Sequence, residues 1–191
     1  MTKSLTDLIC PLDGKPLRLN ERSWRCEDGN SYDVAKQGYV NLLPVQNKRS
    51  KDPGDSKAMV QARREYLEQG YYEPLVRALA NTVLAEGDQA VLDAGCGEGY
   101  YLRYLVEQAE QKGIDLRVAA LDISKWAVQA AAKKDKRLSW MVASNVSIPL
   151  ADSSVDTILC VFGFPVEAEF KRVLKPGGRL IMVDPAGSHL K

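Results

Sequence analysis

From residue 87 onward the apolar positions fall into two alternating rhythms, and that alternation predicts the architecture. Compact apolar runs at 90–94, 117–121, 138–143, 155–162 and 179–183 read as buried strands. Between them, residues 101–111, 125–133 and 166–174 carry apolar side chains at helical spacing, as in Leu102, Leu105, Val106 and Ala109. Strands that alternate with helices predict an α/β fold with a doubly wound, mainly parallel sheet. Upstream, residues 56–86 read as two helices broken around Gly70, the second with Leu75, Leu79 and Val83 at i, i+4, i+8. Residues 46–55 are polar and turn-rich, an exposed linker. Before them, short apolar pieces (31–34, 38–44) alternate with turn formers such as Asp13-Gly14 and Asp28-Gly29-Asn30, the grammar of hairpins. The pattern thus divides the chain into a small β module (1–45), a basic linker with a helical lead-in (46–86) and the α/β domain (87–191).

Composition narrows the setting. With 191 residues, 45% of them hydrophobic, the chain can bury one sizeable core and a small second unit. Every apolar run is interrupted well before the roughly 18 residues of a membrane span. The start, MTKSLTDLIC, lacks the apolar stretch of a signal peptide, so the expected location is cytoplasmic. Lys plus Arg is 26 against 25 Asp plus Glu, so overall charge gives no support to a nucleic-acid partner and any such partner must be met by local patches. Four scattered cysteines, Cys10, Cys26, Cys96 and Cys160, suit a reducing compartment rather than a disulfide scaffold.

The strongest chemical signal is Val91-Leu-Asp-Ala-Gly-Cys-Gly-Glu-Gly-Tyr100, a strand that ends in a glycine-rich turn and opens a helix. Glycines at 95, 97 and 99 let the backbone turn tightly and approach a ligand. A nucleotide-binding fold then places an acid at the tip of the second strand, some 20 residues on, to accept hydrogen bonds from ribose hydroxyls. Asp122 stands there, with Ile123 beside it. The dinucleotide fingerprint is G-x-G-x-x-G; here the third glycine comes one residue sooner and Asp93 precedes the first by two, which disfavours a pyrophosphate.

This arrangement resembles the class I S-adenosylmethionine-dependent methyltransferases, with D-x-G-x-G after the first strand, an acid after the second, and Lys175-Pro-Gly-Gly178 ahead of the fifth. The resemblance implies a Rossmann-like sheet and S-adenosyl-L-methionine as cofactor. It implies that Asp93, Gly95, Gly97, Glu98 and Gly99 serve the methionine end, that Asp122 and Ile123 serve the ribose, and that Ser144 and Asn145 border the adenine. On its own chemistry, Lys175-Pro-Gly-Gly178 is a structural turn from helix to strand.

The N-terminal module carries Cys10, Asp13, Cys26 and Asn30 where a zinc knuckle would carry four ligands. Asp ligates zinc through oxygen, but Asn is a poor ligand, so the expectation is a module folded around Trp24, Tyr32 and Tyr39 with structural zinc unlikely and Cys10, Asp13 and Cys26 as weak metal candidates. Cys10-Pro-Leu, Tyr32-Asp33, Ala35-Lys36-x-Gly38-Tyr-Val-Asn-Leu-Leu-Pro-Val-Gln46, Lys48-Arg-Ser, Asp52-Pro-Gly-Asp-Ser56 and Gln61-Ala-Arg-Arg64 run consecutively ahead of the glycine loop. Over essentially its whole length the chain resembles the RlmA-type 23S ribosomal RNA guanine-N1 methyltransferases. That likeness implies methyl transfer to N1 of a guanine in a 23S rRNA hairpin, and cofactor contacts from Tyr72 and from the lone histidine, His189. The chain stops at Lys191, shortly after the fifth strand, whereas the fold normally adds a further antiparallel pair, so a truncated or degenerate member is expected.

Methyl transfer from a sulfonium is an in-line displacement that needs positioning rather than a protein nucleophile. A base to take the N1 proton is expected, but no residue is assigned to it. After the fourth strand, Phe162 and Phe164 stand where related enzymes hold the target base and can stack on it; the alternative is two core phenylalanines at a strand end. Residues 46–64 hold six basic side chains against two acidic ones. Of these, Lys48, Arg49, Lys51, Arg63 and Arg64 are the candidates for RNA phosphates. Two other readings stay open: a small-molecule methyltransferase of the same fold, and a non-catalytic cofactor- or RNA-binding module. A homodimer is the default assembly.

Overall fold

The computed structural model describes residues 2–47 and 52–185. Chain order begins with β1 (Lys3–Ser4), followed by β2 (Arg18–Asn20), β3 (Ser23–Arg25) and β4 (Ser31–Asp33), which pair antiparallel as a three-stranded ribbon. Next come β5 (Tyr39–Asn41), α1 (Lys57–Glu68) and α2 (Glu73–Leu84). The alternating part follows: β6 (Gln89–Ala94), α3 (Tyr100–Lys112), β7 (Leu116–Asp122), α4 (Lys125–Lys134), β8 (Ser139–Val142), β9 (Val155–Val161), α5 (Glu167–Val173) and β10 (Leu174–Val183).

The main sheet runs β10-β9-β6-β7-β8-β5, and all its described pairs are parallel. The first strand of its alternating part, β6, sits between β7 and β9, so the chain reverses its direction of winding there. Such a switch point opens a crevice at the carboxyl ends of the strands. The predicted mainly parallel sheet is therefore present, with one addition. The N-terminal module gives two strands to it: β5 continues the sheet beyond β8, and β1 pairs with the start of β7 through Lys3↔Arg117 and Ser4↔Val118, in line with β8, which pairs further along. Ser139 Oγ donates to the carbonyl of Leu5 at 3.0 Å and ties the two together.

Side chains alternate across the sheet and build two cores. On one face Val91, Val118, Ala120, Trp140, Val142 and Leu159 meet Leu79 and Val83 of α2, Leu102, Leu105 and Val106 of α3, and Val128 and Ala131 of α4. On the other, Ala90, Leu92, Ala119, Leu121, Met141 and Ile158 meet Phe170 and Val173 of α5 together with Leu5, Leu8, Leu17 and Trp24 of the ribbon. The ribbon thus covers sheet surface that would otherwise need a second set of helices. Each such fully buried aliphatic side chain contributes roughly 1.5–3 kcal/mol. Trp24 and Tyr32 pack together as expected, whereas Tyr39, one strand position out of phase with Val40, belongs to the opposite core.

Helix boundaries have local causes. Ser56 caps α1 by accepting from the Met59 N–H, and Ser124 caps α4 by accepting from the Ala127 N–H. Lys175-Pro-Gly-Gly178 departs from the expected free turn: β10 already begins at Leu174, paired with Val155, and resumes at Arg179, paired with Thr157, so the motif is a bulge within the strand. Lys175 anchors it through Asp156 at 2.9 Å, and a Cβ on Gly178 would fall 2.9 Å from the Lys175 carbonyl oxygen.

Candidate cofactor site

The carboxyl ends of β6, β7, β8 and β9 surround a cavity of about 590 Å³, within the range of pockets that hold cofactor-sized ligands. Its floor is the turn after β6. Gly95 and Gly97 adopt positive φ of 106° and 55°, and the N–H of Gly97 donates to Asp122 Oδ2 at 2.9 Å. The other oxygen of Asp122 accepts from the Ser124 N–H at 2.8 Å. One carboxylate therefore joins the glycine turn to the start of α4 and keeps lone pairs free for a ligand. Burial raises its pKa, and the two N–H donors oppose that rise.

Of the residues expected at the cofactor, Tyr72, Gly95, Gly97, Glu98, Asp122, Ile123, Ser144 and Asn145 line the cavity. Two are held back from its wall. Gly99, φ 82°, starts α3 with its Cα against Trp140: a Cβ there would lie 2.6 Å from Cη2 of that indole. Its glycine is demanded by packing rather than by ligand approach. Asp93 is buried beneath the loop, one carboxylate oxygen without a hydrogen-bond partner. Loss of water, then the nearby Asp122 charge, push its pKa up to about 7. The Glu98 carboxylate turns toward Arg103 (3.1 Å) and Lys134 (3.0 Å), and Lys134 also reaches Glu68 of α1 at 3.2 Å. His189 lies outside the described residues, as do Lys48, Arg49 and Lys51.

The far wall is aromatic. Phe162 and Phe164 line the cavity with 43% and 87% of their surface exposed, which removes the core alternative for both. Phe162 lies beyond the end of β9, not within the strand as its apolar character suggested; its φ is +52°, and its N–H donates to the Val183 carbonyl at 2.8 Å. A side chain at such φ stores strain of order 1–3 kcal/mol, a feature that clusters at functional sites. Asn145 Nδ2 donates to the Phe164 carbonyl at 2.9 Å, linking the loop after β8 to the loop after β9.

Sequence reasoning passed over Tyr66, Tyr100, Tyr101, Asp55 and Val146, which also line the cavity. Tyr66 carried a readable signal: it lies off the apolar stripe of α1, whose buried residues are Val60 and Leu67. Asp55 carried none, because its place depends on how the linker crosses the sheet. Its carbonyl accepts from Ser124 Oγ at 2.6 Å, and its carboxylate holds Arg63, one of the expected RNA contacts.

In the ribbon, the donor atoms of Cys10, Asp13 and Cys26 converge within 4.8 Å of one another. Two sulfurs and a carboxylate oxygen suit zinc. The fourth corner is Asn30, whose Nδ2 donates to Asp13 Oδ2 at 2.8 Å and to Cys10 Sγ at 3.5 Å. The Cys26 thiol donates to the same Asp13 oxygen at 3.2 Å, and Tyr32 Oη lies 3.1 Å from Cys10 Sγ.

Comparison with known proteins gives the arrangement a family. Residues 8–51 match the N-terminal zinc-ribbon domain of RlmA, and residues 92–182 match a methyltransferase domain family. The chain is 40% identical over 188 residues to the 23S rRNA (guanine(748)-N(1))-methyltransferase of Streptomyces fradiae, covering 96% of this chain and 65% of that one. It is 36% identical over 207 residues to a protein of Micromonospora griseorubida provisionally named a 23S rRNA (guanine-N(1)-)-methyltransferase, covering 97% of this chain and 68% of the relative. The chain thus spans about two thirds of the length of these relatives. Among solved structures, a protein provisionally assigned as a methyltransferase, in complex with the Haloferax volcanii Trm112 methyltransferase activator, is similar at 26% identity and TM-score 0.52, over 70% of this chain and 60% of that one. A Methanococcus maripaludis protein provisionally assigned to the S-adenosyl-L-methionine-dependent methyltransferases shares the fold at 22% identity and TM-score 0.57, over 71% and 67% of the two chains. Ribbon, glycine turn and sheet order agree with these matches, and the chain belongs to the RlmA-type 23S rRNA guanine-N1 methyltransferase family, on a class I methyltransferase fold.

Proposed function

We propose that the protein binds S-adenosylmethionine in the crevice at the carboxyl ends of β6–β9 and transfers its methyl group to N1 of a guanine in a 23S rRNA hairpin, in the cytoplasm. The observation that carries the cofactor reading is the Asp122 carboxylate, tied to the glycine turn and facing the cavity. Family membership supports the RNA target. The cofactor, when bound, supplies a methyl group on a positively charged sulfur.

This chain's part is to bind and orient. Gly95 and Gly97 allow close approach of the methionine portion, Asp122 with Ile123 holds the ribose, and Ser144 with Asn145 borders the adenine. Phe162 and Phe164 stack on the incoming guanine and keep water away from the reacting nitrogen. Among the described residues, the carboxylates of the cavity wall are Asp55, Glu98 and Asp122, and each is already engaged: by Arg63, by Arg103 and Lys134, and by two backbone N–H groups. Arg63 and Arg64, with Lys48, Arg49 and Lys51, meet the RNA phosphates.

We also infer that the ribbon holds together without zinc. Asp13 accepts from Cys26 and Asn30 and thereby closes the cluster that a metal would otherwise close. Calorimetry with S-adenosylmethionine, followed by transfer of labelled methyl to 23S rRNA lacking its modifications and mapping of the product, tests the main reading. Absence of cofactor binding refutes it. Cofactor binding without RNA methylation favours the small-molecule or non-catalytic alternatives.

A further inference from the structure

The aromatic wall of the cavity continues outward to Tyr71. Tyr72 meets Phe162 edge-on at 6.0 Å between ring centroids, Tyr66 meets Tyr72 at 5.9 Å, and Tyr71 meets Tyr66 at 5.3 Å with the rings 37° apart. The four rings form one path from the cavity wall to open surface. Tyr66 is 49% exposed and Tyr71 65% exposed, and Tyr71 is not a cavity residue. Packing of α1 does not require Tyr66, because the helix is held by Val60 and Leu67, and Tyr71 stands in the turn after it. Exposed, contiguous aromatic surface of this kind marks a place where something flat and apolar is received.

Charge says what kind of partner fits. Arg63 lies one helical turn before Tyr66 on α1, so the two share a face, with the Arg63 guanidinium held by Asp55, and Arg64, further round the same helix, has no ion-pair partner among the described residues. Of the neighbouring carboxylates, Glu68 pairs with Lys134 and Glu73 with Arg77, while Glu65 accepts from the Gln61 amide at 3.0 Å. Aromatic faces on a helix that also carries a guanidinium without an ion-pair partner make a surface that single-stranded nucleic acid takes, bases on the rings and a phosphate on Arg64.

We propose that Tyr66 and Tyr71 form a second base platform, on which the unpaired nucleotide next to the target guanine stacks while the guanine itself enters the cavity against Phe162 and Phe164. The inference rests on the RNA-methylation reading and adds a selection rule to it. Two adjacent nucleotides must leave their helix together, so a loop is accepted and a fully paired stem is rejected.

The test uses the whole chain and a 23S rRNA hairpin with 2-aminopurine placed beside the target guanine, alongside a fully paired duplex of the same sequence. Stacking on the platform quenches the fluorophore in the wild-type complex. Tyr71→Leu is expected to lose most of that quench and to bind the hairpin roughly five-fold or more weakly, while Tyr71→Phe, which keeps the ring, retains both. Titration of each variant with S-adenosylmethionine reports that the fold is intact. Equal quench and affinity in Tyr71→Leu and wild type overturn the platform but leave the RNA reading standing, as does equal binding of hairpin and duplex. A wild-type chain that binds the cofactor and no hairpin overturns both.

Discussion

Replacing Gly99 by alanine separates two explanations of the same glycine. The methyltransferase likeness gives Gly99 to the cofactor; the structure gives it to the indole of Trp140. An alanine at φ 82° carries the left-handed cost of about 1–2 kcal/mol. Its Cβ, placed 2.6 Å from Cη2 and 3.1 Å from Cζ3 of Trp140, adds an overpacking cost of about 1–3 kcal/mol. The total, roughly 2–5 kcal/mol, is a large part of a typical domain's stability. Urea denaturation of wild type and Gly99→Ala measures it. In a Trp140→Phe background those two ring atoms are gone and only the end of the flexible Arg103 side chain, Nη1 at 2.9 Å, stays close, so Gly99→Ala should there cost mainly the backbone part, about 1–2 kcal/mol. Equal costs in both backgrounds would refute the packing explanation. So would an alanine variant of near wild-type stability that has lost affinity for S-adenosylmethionine.

Three further outcomes are expected. The Asp93 carboxyl is neutral in the folded chain up to about pH 7 but only to about 3.8 when unfolded, so its contribution is full below pH 3.8 and is lost as pH rises through 7; wild type should lose up to about 4 kcal/mol across that window, and Asp93→Asn, followed by urea midpoints against pH, should flatten the slope. Asp122→Ala leaves the Gly97 and Ser124 N–H groups without their acceptor; calorimetry should show S-adenosylmethionine affinity reduced at least ten-fold and denaturation a stability cost of about 1–3 kcal/mol, and unchanged affinity would remove Asp122 from the ribose. Metal analysis of the purified protein should find well under one zinc per chain, with melting temperature unmoved by a chelator; stoichiometric zinc would show that Cys10, Asp13 and Cys26 bind metal despite Asn30.

How far the sequence could be read depended on whether a feature is local. The order of strands and helices after residue 87 and the break at Gly70 were legible, because burial on one face or both imposes a period on consecutive residues. So was the grouping of Gly95, Gly97 and Asp122, since the turn and the tip of the adjacent strand are neighbours in any parallel sheet that starts this way. The two strands that the N-terminal module lends to the main sheet left no such mark: Lys3–Ser4 and Tyr39–Asn41 are too short to show a period, and their partners lie about a hundred residues away. Phe162 illustrates the same limit at the site. Its apolar character reads as the end of a strand, and only its φ of +52° shows that the backbone has already turned. Glu98 reads as a ligand group from its position in the loop, yet Arg103 and Lys134 claim its carboxylate.

The pairing of β5 with β8 has a consequence for how this protein can be taken apart. A fragment that begins after the linker would leave the outer backbone donors and acceptors of β8 without partners, a raw hydrogen-bonding border that invites other chains to dock. The same cut would uncover Met141 and Leu121 on the face where the ribbon sits. The ribbon and the α/β domain are therefore a single piece of fabric, and exchange of one ribbon for another between relatives would succeed only if the selvedge strand travels with it.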